Sequence, residues 1–424
     1  MPPSKGAEGD KGVAACGAGG IDALPDGVLE HVLGFLPAEE AVRTCVLARR
    51  WRHLWRSAAG LRIGCLREDE PTSVDDLREF VEHLLRLRGG SLLGTVELQI
   101  GDFGGHNDVP HVNRWFRHAI MSEVRALKLH VHKNRYIDPW LELQDLPLIS
   151  RHLTRLELRG IRCHASFLNF STCPSLEHLE FEYCDLSCAK KISSESIKGL
   201  SIIDSAFGND SCLQICAPDL VSLHLDGLWD NTPILESMPA LEEAFVRITE
   251  QCDDCCYKLL DASRDCNCES CVNSDNIGDG GDICVLLQGL SEAKSLVLIS
   301  RPEMFIFKRD LRWCPTFNKL KTLWLNEYWC VPDLAYLLEH SPILEKLTLQ
   351  LFSEGPKHKI EMKGSFNSMV RSAAISEHLK IVEINCEVVD DRVYRVLKFL
   401  CTFNICLSGA DWKCKKNLFP QWIY

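Results

Sequence analysis

A chain of 424 residues with 46% hydrophobic and 25% charged residues has room for two or three folding units with packed cores. Its formal net charge of −12 argues against general binding to nucleic acid or an anionic membrane, and no apolar run reaches the roughly eighteen residues that a membrane span needs. Twenty-two cysteines behind a Gly/Ala-rich opening without an apolar signal segment predict reduced thiols and a cytoplasmic or nuclear protein.

Residues 1–20 carry six glycines, Gly6 to Gly20, and little to pack, which predicts disorder. Residues 21–66 then read as short helices. Leu24-Pro25 opens the stretch, and Val28, Leu29, Val32, Leu33 and Leu36 recur at helical spacing. Pro37 ends that helix and suits the first turn of the next. A second apolar set follows: Ala41, Val42, Cys45, Val46, Leu47, Trp51, Leu54 and Trp55. Some forty residues can hardly bury both sets, so part of this apolar surface must be covered by the rest of the chain or by another protein. Val42, Cys45, Leu54 and Trp55 are expected in the core, and Leu24, Pro25 and Leu29 at an interface. Five arginines from Arg43 to Arg56 are matched by Asp22, Asp26, Glu30, Glu39 and Glu40, so the stretch has no basic field.

A polar bridge near 67–73 leads to a helix over 74–88, with Leu77, Val81, Leu84 and Leu85 on one face and Gly89-Gly90 at its end. One pattern then recurs, apolar-x-x-apolar-x-apolar. It starts at Leu93, Val124, Leu153, Leu176, Ile197, Leu220, Leu241, Ala293, Leu320, Leu344 and Leu379. Pro174, Pro218, Pro239 and Pro342 precede four of these starts by two places, where proline can lead into a strand. This is the leucine-rich-repeat pattern. The expected architecture is α/β: a short helical module, then a solenoid with a curved parallel sheet and helices or loops on the convex side. The +3 and +5 side chains should build a core that no single repeat can make. Half of the intervals are 21–24 residues, too short for the full helices of a doubly wound sheet. The repeats are placed at 74–350, with an acidic cysteine-rich insertion at 250–284 and an end cap and tail at 351–424.

On each strand the +4 and +6 side chains face away from that core. Early repeats are polar there, whereas Phe245, Val297, Ile299 and Trp324 form an apolar stretch that would suit substrate binding, unless the neighbouring insertion or the tail folds over it. In the insertion, Cys252-x-x-Cys255 and Cys268-x-x-Cys271 have the pair spacing of a four-thiolate zinc site. The loop is nevertheless strongly acidic and lacks the basic residues that lower thiol pKa, which favours a disordered acidic loop over a metal centre. No phosphate-binding glycine loop, His-Glu-x-x-His or Gly-x-Ser-x-Gly elbow is present, and no cofactor is expected.

The run Leu24-Pro25-Asp26, Val28-Leu29, Val32-Leu33, Phe35-Leu36-Pro37, Ala41–Thr44, Val46–Trp51 and Leu54-Trp55 resembles the F-box of plant F-box proteins with leucine-rich repeats. Gly27, on the first helical turn, departs from the pattern. The tail from Ser376 to Asn404 resembles the FBD region that closes many such chains. It offers a strand, then a helix carrying Val393, Val396, Leu397 and Leu400. The resemblance implies that Leu24, Pro25, Val28, Leu29, Val32, Leu33, Leu36, Pro37, Val46 and Trp51 contact a Skp-type adaptor, and through it a cullin. The chain would then be a non-catalytic substrate receptor of a ubiquitin ligase, holding an as yet unidentified protein target. The alternatives are a repeat scaffold or a small-molecule co-receptor acting outside a ligase.

Overall fold

The computed structural model describes residues 21–64, 72–89, 93–101, 107–132, 140–208, 213–249, 286–300, 314–326, 331–351, 378–386, 391–402 and 411–415. Each of the eleven repeat registers becomes one strand of a single parallel sheet. Val96 pairs with Leu127, Leu127 with Leu156, and Leu156 with Leu179. The same ladder runs on through Leu200, Leu223, Ala244, Leu296, Leu323 and Leu347 to Val382. All three apolar positions of every register are buried. Stacked leucines cover one another along the ladder, so a repeat too small to hold a core gains one from its two neighbours.

Among the described residues the sheet has thirteen strands, because one more lies at each end. Residues 58–63 were read as the close of the helical module. Instead, β1 (Gly60–Ile63) aligns Leu61 with Val96 and Ile63 with Leu98 of β2 (Thr95–Ile100). Ala58, Leu61 and Ile63 are all buried and form a twelfth register. At the other end Asp411–Lys415 pairs with Ile381–Cys386, in a stretch that sequence left without any assignment. Between them the helix Asp391–Thr402 buries Val393 and Leu400.

Connections on the core side follow the room available. α3 (Val74–Arg88) packs Leu77, Val81 and Leu84 inward after the Ser73 hydroxyl caps the Asp76 N–H. α4 (Val109–Met121), which sequence did not anticipate, buries Val112, Trp115 and Phe116. In the middle repeats the outer segments are short extended pieces, among them Lys191–Ser193, Gln214–Cys216 and Ile234–Leu235, which pair in parallel. Gly160, Tyr183, Asp204 and Gly227 occupy equivalent positions after four consecutive strands, and all adopt positive φ. Each donates its N–H to a carbonyl of the next strand. At Gly160 a Cβ would lie 2.1 Å from the Val131 carbonyl oxygen, so glycine is required by space as well as by φ.

The helical module is locked to the array. α1 (Asp26–Leu33) ends at Gly34, whose backbone touches that of Gly60; a Cβ on either would come within 2.7 Å of the other's main chain. Arg88, at the end of α3, is buried and donates to the Trp55 and Ala58 carbonyls at 2.8 and 2.7 Å. Burial pushes its guanidinium down to about 10. Those two carbonyls close the last turn of the module, where a helix end otherwise leaves acceptors unsatisfied. Among the described residues no helix is long and apolar enough to cross a membrane.

Candidate functional site

The helical module sorts its apolar residues onto two sides. Leu29 and Leu33, one turn apart on α1, are 0% and 1% exposed, in the same core as Trp51, Leu54 and Trp55. Val42, on α2 (Ala38–Arg43), and Cys45, in the turn after it, are half-buried against this core. Leu24, Val28 and Val32 stay outside, joined by Ile21, Phe35, Val46 and Leu47. Val46 is 81% exposed. Pro25 is exposed too, and Leu36 and Pro37 are half-buried.

The residues expected to contact an adaptor therefore divide between the two sides. Leu29, Leu33 and Trp51 serve the module's own core, because helical rotation carries positions 29 and 33 about 100° away from 28 and 32. Ile21, Phe35 and Leu47 are exposed beside Val28 and Val32. One helix of eight residues cannot bury two apolar stripes, so Val28 and Val32 stay outside once Leu29 and Leu33 turn inward. The patch is held in shape by Arg50, which donates to Asp26 Oδ1 at 2.7 Å and to the Leu24 carbonyl. The His31 and Phe35 rings meet edge to face at 4.9 Å.

The sheet face turned away from the core is the second candidate, and its two halves differ. From Glu97 to Asp226 it is largely half-exposed and ionic. Arg62 donates to Glu97 at 2.8 Å, Lys128 lies 2.6 Å from Glu157, and Arg155 also pairs with Glu157. Burial works against the Glu157 charge, but the hydrogen bonds from Lys128 and Arg155 outweigh it and hold the carboxyl below its ordinary range. Asp226 is depressed in the same way, with His224 and Arg247 overcoming its burial. Between them Glu182 and Asp204 are raised by burial and by neighbouring carboxylates, with Arg159 3.4 Å from Glu182 as partial compensation.

The other half brings Phe245, Val297, Ile299 and Trp324 together as predicted, in a cluster separate from the main core. They are not an open surface: Phe245, Ile299 and Trp324 are each only 8% exposed. Phe245 pairs with Val297 and Val297 with Trp324 across adjacent strands, so lateral contact between neighbours covers much of each ring. Enclosure extends to Asn326, Thr348, Gln350 and Glu383, polar residues on the same face that are all buried. His224 stacks on Phe245 at 4.5 Å and marks the border between the two halves.

Cys252, Cys255, Cys268 and Cys271, the candidate zinc ligands, lie outside the described residues, as does the rest of the acidic insertion. Eight cysteines, Cys163 and Cys184 among them, are in no disulfide. Burial pushes Cys163 well up and Cys184 up to about 12, so both stay protonated and pack as small apolar groups.

The fold is thus a helical module with an uncovered apolar patch fused to a leucine-rich-repeat solenoid. Residues 21–60 match the F-box domain. The chain is 25% identical over 384 residues to an F-box/FBD/LRR-repeat protein of Arabidopsis thaliana, covering 80% of each. It is 25% identical over 394 residues to an F-box/LRR-repeat protein of the same plant, covering 81% of this chain and 78% of that one. To the meiotic F-box protein MOF of Oryza sativa subsp. japonica it is 27% identical over 358 residues, covering 77% and 70%. Over about four fifths of its length the chain is thus similar to plant F-box/leucine-rich-repeat proteins.

Proposed function

We propose that this chain is the substrate receptor of a Skp–cullin–F-box ubiquitin ligase. F-box domains bind Skp-type adaptors, and F-box/leucine-rich-repeat proteins are in general non-catalytic recognition subunits. The observation that carries the reading is the distribution of uncovered apolar residues. Of the thirteen large apolar side chains exposed among the described residues, seven fall within residues 21–47. Leu24, Pro25, Val28, Val32 and Val46, with Ile21, Phe35 and Leu47, are the adaptor contacts in this reading. Leu36 and Pro37 sit at the patch edge.

Target capture falls to the sheet face turned from the core. Its open half, Glu97 to Asp226, offers side chains of both signs that can select a partner by charge. The cluster of Phe245, Val297, Ile299 and Trp324 borders that half as a rigid apolar floor. The chain contributes no bond chemistry in this reading; it raises the local concentration of target lysines beside a thioester carried elsewhere in the complex. Such a receptor works in cytoplasm or nucleus.

The test is co-purification of the full chain with a Skp-type adaptor and cullin, alongside a Val28→Glu, Val32→Glu variant. Stoichiometric capture that the variant abolishes would support the reading. An intact protein that ignores the adaptor would turn it into a repeat scaffold without a ligase.

A further inference from the structure

Outside the F-box, six large apolar side chains are exposed among the described residues, and three of them meet at one place. Met121, Leu146 and Ile149 form the lip of a groove of about 220 Å³ between the end of α4 and the segment 143–149. Met121 is 82% exposed and Ile149 64%. Phe116 and Phe167 form the floor, with ring centroids 6.0 Å apart. The groove lies on the helix side of the solenoid, away from both the adaptor patch and the open sheet face.

The walls are fixed in advance. Buried Asn113 donates to the Val109 carbonyl on its own helix at 2.9 Å and to the Glu142 carbonyl across the groove at 3.0 Å. Its side-chain oxygen accepts the Gln144 N–H at 2.8 Å. One amide thus ties helix to loop, and a guest would find the site already ordered. The volume falls short of the roughly 300–1,000 Å³ of sites that enclose a drug-sized ligand, and suits a few side chains of a peptide.

Charge selects among peptides. Arg117 is the one charged residue lining the groove; it is exposed, and no ion pair or hydrogen bond occupies it among the described residues. Arg114, three residues earlier, is engaged with Glu82 at 3.4 Å. The acid within the opposite wall, Asp145, accepts the Ser166 N–H at 2.8 Å and does not line the groove. An apolar trough with one free guanidinium at its side matches a segment that carries two or three apolar side chains beside a carboxylate.

We propose that this groove docks a short amphipathic, acidic segment of a partner protein, as a second interaction surface independent of adaptor and target face. The experiment selects a random dodecapeptide display library on the full chain and counter-selects on Ile149→Glu, a change at an exposed position. Recovered sequences should place Asp or Glu beside an apolar pair. A synthetic peptide made from them should bind at least about tenfold more weakly to Ile149→Glu. Arg117→Glu should reverse its preference, favouring the same peptide with Lys in place of the acid. Melting temperature and adaptor binding should be unchanged in both variants. The proposal is overturned if no sequence discriminates wild type from Ile149→Glu, if the recovered sequences lack acids, or if Arg117→Glu leaves the preference intact. It is equally overturned if the full chain self-associates and Ile149→Glu abolishes that association, which would assign the groove to a second copy.

Discussion

The F-box and the repeat array draw on the same side chains, leucine and valine above all, and dispose of them in opposite ways. In the array every register residue is buried because a strand has neighbours on both sides and the period of two matches one buried face. In the F-box the helix α1 has two apolar stripes and one core to face. Leu29 and Leu33 take it, and Val28 and Val32 are left in water. Repetition lets a solenoid finish its own core, whereas a forty-residue module cannot, and the unfinished side is where the proposed adaptor would bind.

The largest expected effect tests the uncovered stripe. Val28→Glu with Val32→Glu should weaken adaptor affinity on the order of a thousandfold, about 4 kcal/mol, by placing charge in a desolvated interface. Calorimetric titration measures the affinity, and thermal unfolding should stay where it was. Next comes the covered stripe: Leu29→Ala should cost about 3 kcal/mol of stability, whereas Val32→Ala, one turn away on the exposed side, should stay within about 0.5 kcal/mol. Equal losses in denaturant titrations would erase the distinction between the stripes.

The junction gives a smaller effect. Gly60→Ala puts a Cβ 2.3 Å from the Gly34 carbonyl oxygen and should destabilise by about 2 kcal/mol through forced separation of α1 from β1. If the F-box and array unfold as one unit, a single transition should move; a shift confined to an early transition would mean that they fold separately.

The smallest effect separates array from F-box by pH. His118, His130 and His132, all on the array, are held below the ordinary imidazole range, in each case by burial first. The unfolded chain therefore takes up these protons at higher pH than the folded chain. Their contribution to stability is present above about pH 6.5 and is lost as pH falls below it. Melting temperature should drop between pH 7 and 5, and His130→Gln should make that drop shallower. An unchanged slope would show that these imidazoles do not govern acid stability.

The C-terminal half of the outer sheet face shows the limit of pattern. Its four apolar residues lie on one face and on neighbouring strands as expected, and Phe245, Ile299 and Trp324 are enclosed there. Alternation fixes which face a side chain takes but not what lies across it. Trp324→Ala should therefore destabilise the array before it alters any binding. The twelfth register at Ala58, Leu61 and Ile63 escaped notice for a related reason. It follows directly on Leu54 and Trp55, and the helical reading ran through it.

Sequence alone determined the solenoid: eleven registers, the direction of every side chain in them, and a helical module with more apolar surface than it can hide. Those follow from local periodicity, which each strand and helix expresses wherever it sits. Only the tertiary structure decided which of two adjacent helical stripes turned inward, that β1 belongs to F-box and array alike, and that the Phe245–Trp324 cluster is enclosed. These depend on contacts between residues distant in the chain, such as Arg88 with Trp55 and Gly34 with Gly60, which no period records.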